Sequence, residues 1–227
     1  MDPISEPRQL PLALPERPAD YTRTNYLITE ANAAAFQTAM AWRVSGDPAL
    51  VICGDEGAGK THLAHVLADA AGGRFSAPQS ARAAARSEKD VVLLIDEVDR
   101  IEDPKILLEL VEDLRALGAR AVFIGAGAPR DWARGLKDLE TRLEAMARAA
   151  LAEPDETLMR AVLSKAFRDR QLAVEGAVID FALPRLKRTF AAVRAFVNAA
   201  DRMALEEKRP VSITQARKVL NNLFEGP

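Results

Sequence analysis

The 227-residue chain has one cysteine, two histidines, two tryptophans and two tyrosines, and aromatic residues make up only 5% of it. A single cysteine excludes an internal disulfide. Cys53 stands in the apolar run ALVIC, residues 49–53, so it reads as a small buried hydrophobe rather than a metal ligand. No apolar run approaches membrane-spanning length. Charge of one sign is missing too. A formal net charge of −2 with 28% charged residues excludes a global field that would draw the chain onto nucleic acid or membrane. The opening MDPISEPRQLP is neither basic nor apolar enough for a secretory signal, and the expected location is the cytoplasm. What is present is 48% hydrophobic, which suits one large or two small domains with a proper core.

Residues 1–20 carry Pro3, Pro7, Pro11, Pro15 and Pro18, a density that prevents helix and favours an extended tail. Inside it lies QLPLAL, Gln9 to Leu14, where Leu10, Leu12 and Leu14 alternate. An extended backbone puts all three on one side. The stretch reads as a linear docking motif, with folding back onto the chain's own core as the competing reading.

The next feature organises everything after it. GDEGAGKT, Gly54 to Thr61, fits G-x-x-x-x-G-K-[ST], with an apolar strand before it and the helix-like THLAHVLADA after it. Four fixed positions recur by chance in roughly one chain per hundred of this length, so a mere glycine-rich turn is the weaker reading. The backbone amides of Gly54, Asp55, Glu56, Gly57, Ala58 and Gly59 are expected to form an anion nest at a helix N-terminus. Lys60 would reach terminal phosphates, and the Thr61 hydroxyl would hold Mg²⁺. His62 and His65 share a face of the helix. With no carboxylate or cysteine at ligand spacing, they read as packing or capping groups.

Around that loop the pattern is αβ. Thr29 caps an alanine-rich helix from Glu30 to about Arg43, ended by Ser45-Gly46-Asp47-Pro48. A short strand near Arg74 to Ser76 and a helix near Ala77 to Arg86 lead to the β-branched run Val91 to Ile95, a strand buried on both faces. It delivers Asp96 and Glu97 to the carboxyl end, where ligands bind in open α/β sheets. Asp96 would hold Mg²⁺ through water, and Glu97 would polarise an attacking water. Pro104 opens a helix with Ile106, Leu107, Leu110, Val111 and Leu114 on its inner face. Strand Ala121 to Gly125 follows, then LKDLETRLEAMARAA on a helical spacing, and strand Ala149 to Ala152. Beyond Pro154 only helical patterns remain: Asp155 to Arg170, Glu175 to about Leu186, Thr189 to Lys208 and Ser212 to Phe224. The expected division is a tail at 1–20, an α/β nucleotide-binding domain with a parallel five-stranded sheet at 21–153, and a small all-helical domain at 154–227.

In combination these stretches resemble the AAA+ ATPases of the DnaA branch over nearly the whole chain. NYLITEAN, beginning at Asn25 and Tyr26, is similar to that family's adenine-embracing segment, and GAGKTHLAH to its extended phosphate loop, with His62 included. LLIDEVD and DLETRL are similar to its Mg²⁺ motif and its arginine-finger box, which puts Arg142 at the finger position. The terminal helices are similar to the AAA+ lid. QLPLAL resembles the peptide with which clamp-binding proteins dock on the DNA polymerase III sliding clamp, so Gln9, Leu10, Leu12 and Leu14 would fill its pocket. The chain stops after the lid, where DnaA continues into a DNA-reading domain. The resemblance therefore implies a regulator of bacterial chromosome replication initiation. Carrying ADP or ATP with Mg²⁺ and tethered to the clamp, it would stimulate ATP hydrolysis by DnaA through Arg142 acting in trans.

Two positions depart from the family pattern. At the first sensor stands Ala126 instead of a polar side chain. At the second stands Ala191, flanked by Arg188 and Arg194 a helical turn away on either side, either of which would substitute. Both departures imply weak hydrolysis by the chain itself, although Glu97 supplies a water-activating acid. Self-association head to tail would bury Arg142 in a homodimer. Two other functions compete. A helicase-loader-like ATPase acting on nucleic acid would show a net basic surface, and Arg130, Arg134 and Lys137 offer only weak contact. A non-catalytic clamp-tethered adaptor would use nucleotide only to order its fold.

Overall fold

The computed structural model describes residues 21–88 and 90–224; the tail with Gln9, Leu10, Leu12 and Leu14 lies outside the described residues. Along the first part of the chain run α1 (Glu30–Ser45), β1 (Ala49–Gly54), α2 (Lys60–Ala71), β2 (Arg74–Phe75), α3 (Pro78–Ser87) and β3 (Val92–Ile95). Then come α4 (Pro104–Ala116), β4 (Arg120–Ala126), α5 (Pro129–Trp132), α6 (Lys137–Glu144) and β5 (Ala147–Leu151). Four further helices close the chain: α7 (Glu156–Asp169), α8 (Gly176–Ala182), α9 (Phe190–Glu207) and α10 (Ile213–Phe224).

The five strands form one sheet in the order β2-β3-β4-β1-β5, every pairing parallel. Parallel sheets need cover on both faces, and the side-chain period of two supplies it. Leu50 and Ile52 of β1 pack under α1 and α2 with Leu63, Leu67 and Trp42. Val51 and Cys53, on the alternate positions, pack under α3, α4 and α6 with Leu107, Leu110 and Leu143. Cys53 is buried and free, as its apolar surroundings predict. A third core lies among α7 to α10, where Leu163, Phe167, Val193, Phe196 and Val219 meet; the Phe167 and Phe196 rings stand edge to face at 6.1 Å. Each fully buried Leu, Ile or Phe contributes on the order of 1.5–3 kcal/mol. Among the described residues no helix is long and apolar enough to cross a membrane.

Helix α1 ends where the loop residues predict, at Gly46 in the left-handed conformation with φ 79°. Its last carbonyls are taken by Arg120 from the start of β4: Nη2 donates to Trp42 O at 2.7 Å and Nη1 to Arg43 O at 3.1 Å, with the guanidinium 4.2 Å over the Trp42 ring. At the other end Thr29 is the cap residue, but its hydroxyl is buried without a partner. Asn32 acts instead: its Oδ1 accepts from Thr29 N and its Nδ2 donates to Leu27 O, both at 2.8 Å.

Two expectations need correction, and one short helix is new. Ile106 is 50% exposed, because the buried stripe of α4 is Leu107, Leu110, Val111 and Leu114, and Ile106 sits one residue outside that spacing. The helical reading of LKDLETRLEAMARAA holds only to Glu144. Pairing of Ala147 with Leu50 draws the rest into β5, so sheet partnership overrides alanine's helix preference. The stretch AGAPRDW contains the short helix α5, opened by Pro129 and buried through Trp132.

Candidate functional site

The turn between β1 and α2 is built by glycines in conformations that other residues resist. Gly54, Gly57 and Gly59 have φ of 138°, 78° and 96°. Two of them also lie in close contact. A Cβ on Gly57 would come within 2.7 Å of Thr189 Cβ, and one on Gly59 within 2.9 Å of the Phe190 ring. The loop is thus clasped between the sheet edge and the start of α9. Thr189 caps that helix by accepting from Ala192 N.

Lys60 opens α2, and its Nζ donates back to Gly54 O at 2.9 Å and Asp55 O at 2.8 Å, tying the loop into a ring. Burial pulls its pKa below the ordinary lysine value, opposed by Asp99, Asp96, Asp55 and Glu56. Next to it, Thr61 Oγ1 donates to Asp96 Oδ2 at 3.1 Å across from the end of β3, and Asp96 Oδ1 accepts from Glu97 N at 2.8 Å. The two motifs found separately in the sequence therefore meet. Glu97 adopts the left-handed conformation, φ 59°, and its carboxylate pairs with Arg100 at 2.8 Å rather than with any group of the loop.

A cleft of about 960 Å³ opens over the loop. Its walls include Glu56 to His62 from the loop and α2, Asn25 and Tyr26 from the preceding segment, and Ala191 and Arg194 from α9. The expected residues Asn25, Tyr26, Glu56, Gly57, Ala58, Gly59, Lys60, Thr61, His62 and Arg194 are brought together there; Arg188 is exposed and does not line it. Residues that the sequence did not single out line it too: Lys165, Asp169 and Arg170 of α7, and Phe190. Their signal was absent because α7 reads as an ordinary amphipathic helix, and only its placement over the loop brings these three to the cleft.

An aromatic column fixes the segment before α1 to α2. Tyr21 stacks on His65 at 4.6 Å with the planes 5° apart, and His65 meets Phe75 at 4.3 Å. Tyr26 stands edge-on to His62 at 5.0 Å, while His62 Nε2 lies 3.2 Å from Thr22 O. Both histidines serve packing, as expected of them. Tyr26 is buried, its hydroxyl has no partner, and burial pushes its pKa up.

Arg142 does not line the cleft. It lies in the last turn of α6 with its side chain 35% exposed, paired to Glu112 of α4 at 2.5 Å. Ala126 is the final residue of β4, level with Gly54, and brings no polar side chain to the loop.

The chemistry open to this arrangement is anion binding by loop amides, one ammonium and a helix N-terminus. Hydroxyl and carboxylate stand at hydrogen-bonding distance, where a divalent cation would take oxygen ligands. Among the described residues no group of three His, Cys, Asp or Glu forms a protein cage. Two protein oxygens fit Mg²⁺, which keeps several waters and takes phosphate oxygens as ligands.

No protein-family model matches the chain, and neither does any curated protein. Solved structures do. Domain III of the Thermotoga maritima replication initiation protein DnaA superposes with a TM-score of 0.76 at 20% identity, covering 94% of this chain and 100% of that one. A replication initiator DnaA bound to AMPPCP and single-stranded DNA gives 0.66 at 18%, covering 83% and 67%. The Thermotoga maritima RuvB Holliday junction branch migration motor gives 0.66 at 19%, again over 83% and 67%. These likenesses show the fold: a five-stranded parallel α/β architecture shared with the AAA+ domains of DnaA and RuvB.

Proposed function

We propose that this chain is a nucleotide-binding AAA+ regulator of bacterial replication initiation, of the kind called Hda, which docks on the sliding clamp and stimulates ATP hydrolysis by DnaA. The observation that carries the reading is a division of labour. The phosphate loop, with Lys60 and the Thr61–Asp96 pair, faces the chain's own cleft, while Arg142 sits outside it and partly exposed. Gly54 to Thr61 would cradle the phosphates of ADP or ATP, with Mg²⁺ held by Thr61 and, through water, by Asp96. Asn25 and Tyr26 would embrace the base, and Arg194 rather than Arg188 would stand in for the second sensor, since Arg194 lines the cleft. The likeness to DnaA bound to AMPPCP supports the choice of a nucleoside triphosphate or its product as ligand.

Arg142 would present its guanidinium to the partner's γ-phosphate, where charge develops in the transition state. Fingers of this kind are worth about 10³–10⁵ in rate in other nucleotidases. Slow turnover by the chain itself follows from Ala126 at the first sensor and from the pairing of Glu97 with Arg100. Gln9, Leu10, Leu12 and Leu14 would supply the clamp-docking peptide. The domain division at 20 and 153 belongs to the same reading.

The test is ATP hydrolysis by DnaA on DNA-loaded clamp, with full-length chain added. Wild type accelerates hydrolysis, Arg142→Ala retains nucleotide binding but loses at least about 10²-fold of the acceleration, and Lys60→Ala loses nucleotide binding. Undiminished acceleration by Arg142→Ala would sink the trans mechanism. A salt-sensitive shift of DNA by the chain alone, without any effect on DnaA, would move the function to nucleic acid.

A further inference from the structure

We infer that Glu112, on α4, is the positioning residue that sets the angle from which Arg142 meets a partner's nucleotide; the inference rests on the trans reading above. Arg142 Nη2 lies 2.5 Å from Glu112 Oε1, with the two side chains 35% and 47% exposed. The Arg142 Nε is buried and has no hydrogen-bond partner. The root of the guanidinium is therefore held by packing and one terminal nitrogen by the carboxylate. Among the described residues this is the only ion pair that Arg142 makes.

The neighbouring acids of α4 are engaged elsewhere. Glu109 and Asp113 both face Arg82 of α3, at 3.7 Å and 2.5 Å. Among the described residues no second cation pairs with Glu112.

Two roles for such a pair are a brake, which hides the guanidinium until a partner arrives, and a guide, which orders it beforehand. Magnitude decides between them. An ion pair this exposed shifts a population by no more than about fivefold, too little to withhold an arginine from a triphosphate. Orientation is a task within that reach: a misplacement of about 1 Å in a catalytic group costs on the order of 10²-fold in rate, so even a fivefold enrichment of aligned rotamers shows directly in kcat. Favouring, in a long and flexible side chain, the rotamers that keep Nη2 on α4 is within reach of one ion pair.

The experiment measures stimulated ATP hydrolysis by DnaA on DNA-loaded clamp, resolved into kcat and the half-saturating concentration of added chain. It compares wild type, Glu112→Ala, Glu112→Gln and Arg142→Ala, with the melting temperature of each recorded. The expected result is that Glu112→Ala lowers kcat about three- to fivefold at unchanged half-saturation. Glu112→Gln, which keeps an oxygen facing Nη2, recovers to within about 1.5-fold of wild type. A wild-type kcat for Glu112→Ala overturns the proposal. So does a rise in kcat with both variants, which is the signature of a brake. Equal losses in Ala and Gln that track a fallen melting temperature also overturn it, as a merely structural role. Those outcomes leave the trans reading standing, because Arg142→Ala remains inactive in each. Absence of stimulation by wild type, or normal stimulation by Arg142→Ala, removes that reading and this inference together.

Discussion

Gly57 and Gly72 hold nearly the same left-handed backbone, φ 78° and 64°, yet they do not tolerate the same change. A side chain on Gly72, which ends α2, meets nothing within 4 Å, so Gly72→Ala loses only the cost of its backbone conformation, about 1 kcal/mol. At Gly57 the added carbon would lie 2.7 Å from Thr189 Cβ, and either the loop or the start of α9 must give way. Gly57→Ala is expected to cost about 2–3 kcal/mol in urea unfolding and to weaken titration with a fluorescent ADP analogue. Equal effects of the two substitutions would show that the contact at Thr189 is not maintained in solution. At this scale the sequence was legible only where chemistry is coded by spacing. Gly54, Lys60, Thr61 and Asp96 stand where their motifs put them, because a phosphate cradle admits few alternatives. Glu112 was not legible. It meets Arg142 from a different helix, and in the sequence it reads as one more solvated charge.

Helix α1 shows what an element owes to a residue far along the chain. Its carboxyl end is closed by Arg120, which reaches Trp42 O and Arg43 O and lies over the Trp42 ring. A cation placed on the last carbonyls of a helix complements the dipole and satisfies otherwise unpaired acceptors. Arg120→Met, which keeps the apolar stem, is expected to lower stability by about 1–3 kcal/mol in urea unfolding, with α1 the first segment to lose hydrogen-exchange protection. Unchanged protection of α1 would contradict that role. Most elements were readable to within two residues, because proline, glycine and apolar spacing mark their ends. Pro104, Gly72 and Gly46 are the clearest cases. The misses are local. Ala147 and Arg148 have helical composition, and the strand expected from Ala149 begins two residues earlier because β1 takes them as neighbours.

Across the whole molecule the cleft lies around one loop, with its lining drawn from the segment before α1, from α2, and from α7 and α9. Anything bound there touches both the elements beside the sheet and the terminal helices. A ligand at a hundred times its dissociation constant stabilises the state that binds it by about 2.7 kcal/mol. Arg194→Ala is expected to reduce that stabilisation and weaken ADP binding about tenfold, with Arg188→Ala unchanged, because only Arg194 lines the cleft. Thermal unfolding with and without ADP checks both, and equal losses would return the choice between the two arginines to open. The terminal helices were legible as elements because their apolar stripes are regular. Their contribution to the cleft was not, since Lys165, Asp169 and Arg170 acquire a common purpose only when α7 lies over the loop.

The aromatic column beside that cleft has a spectroscopic consequence. The chain contains only two tyrosines, and Tyr21 and Tyr26 both line the cleft wall. Its two tryptophans, Trp42 and Trp132, are buried in the cores on opposite faces of the sheet. Every phenol in the molecule therefore reports on a single region. The stacked rings at 4.6 Å place His65 within the ring current of Tyr21, so the imidazole proton resonances form an intrinsic label for whether the strap before α1 is seated.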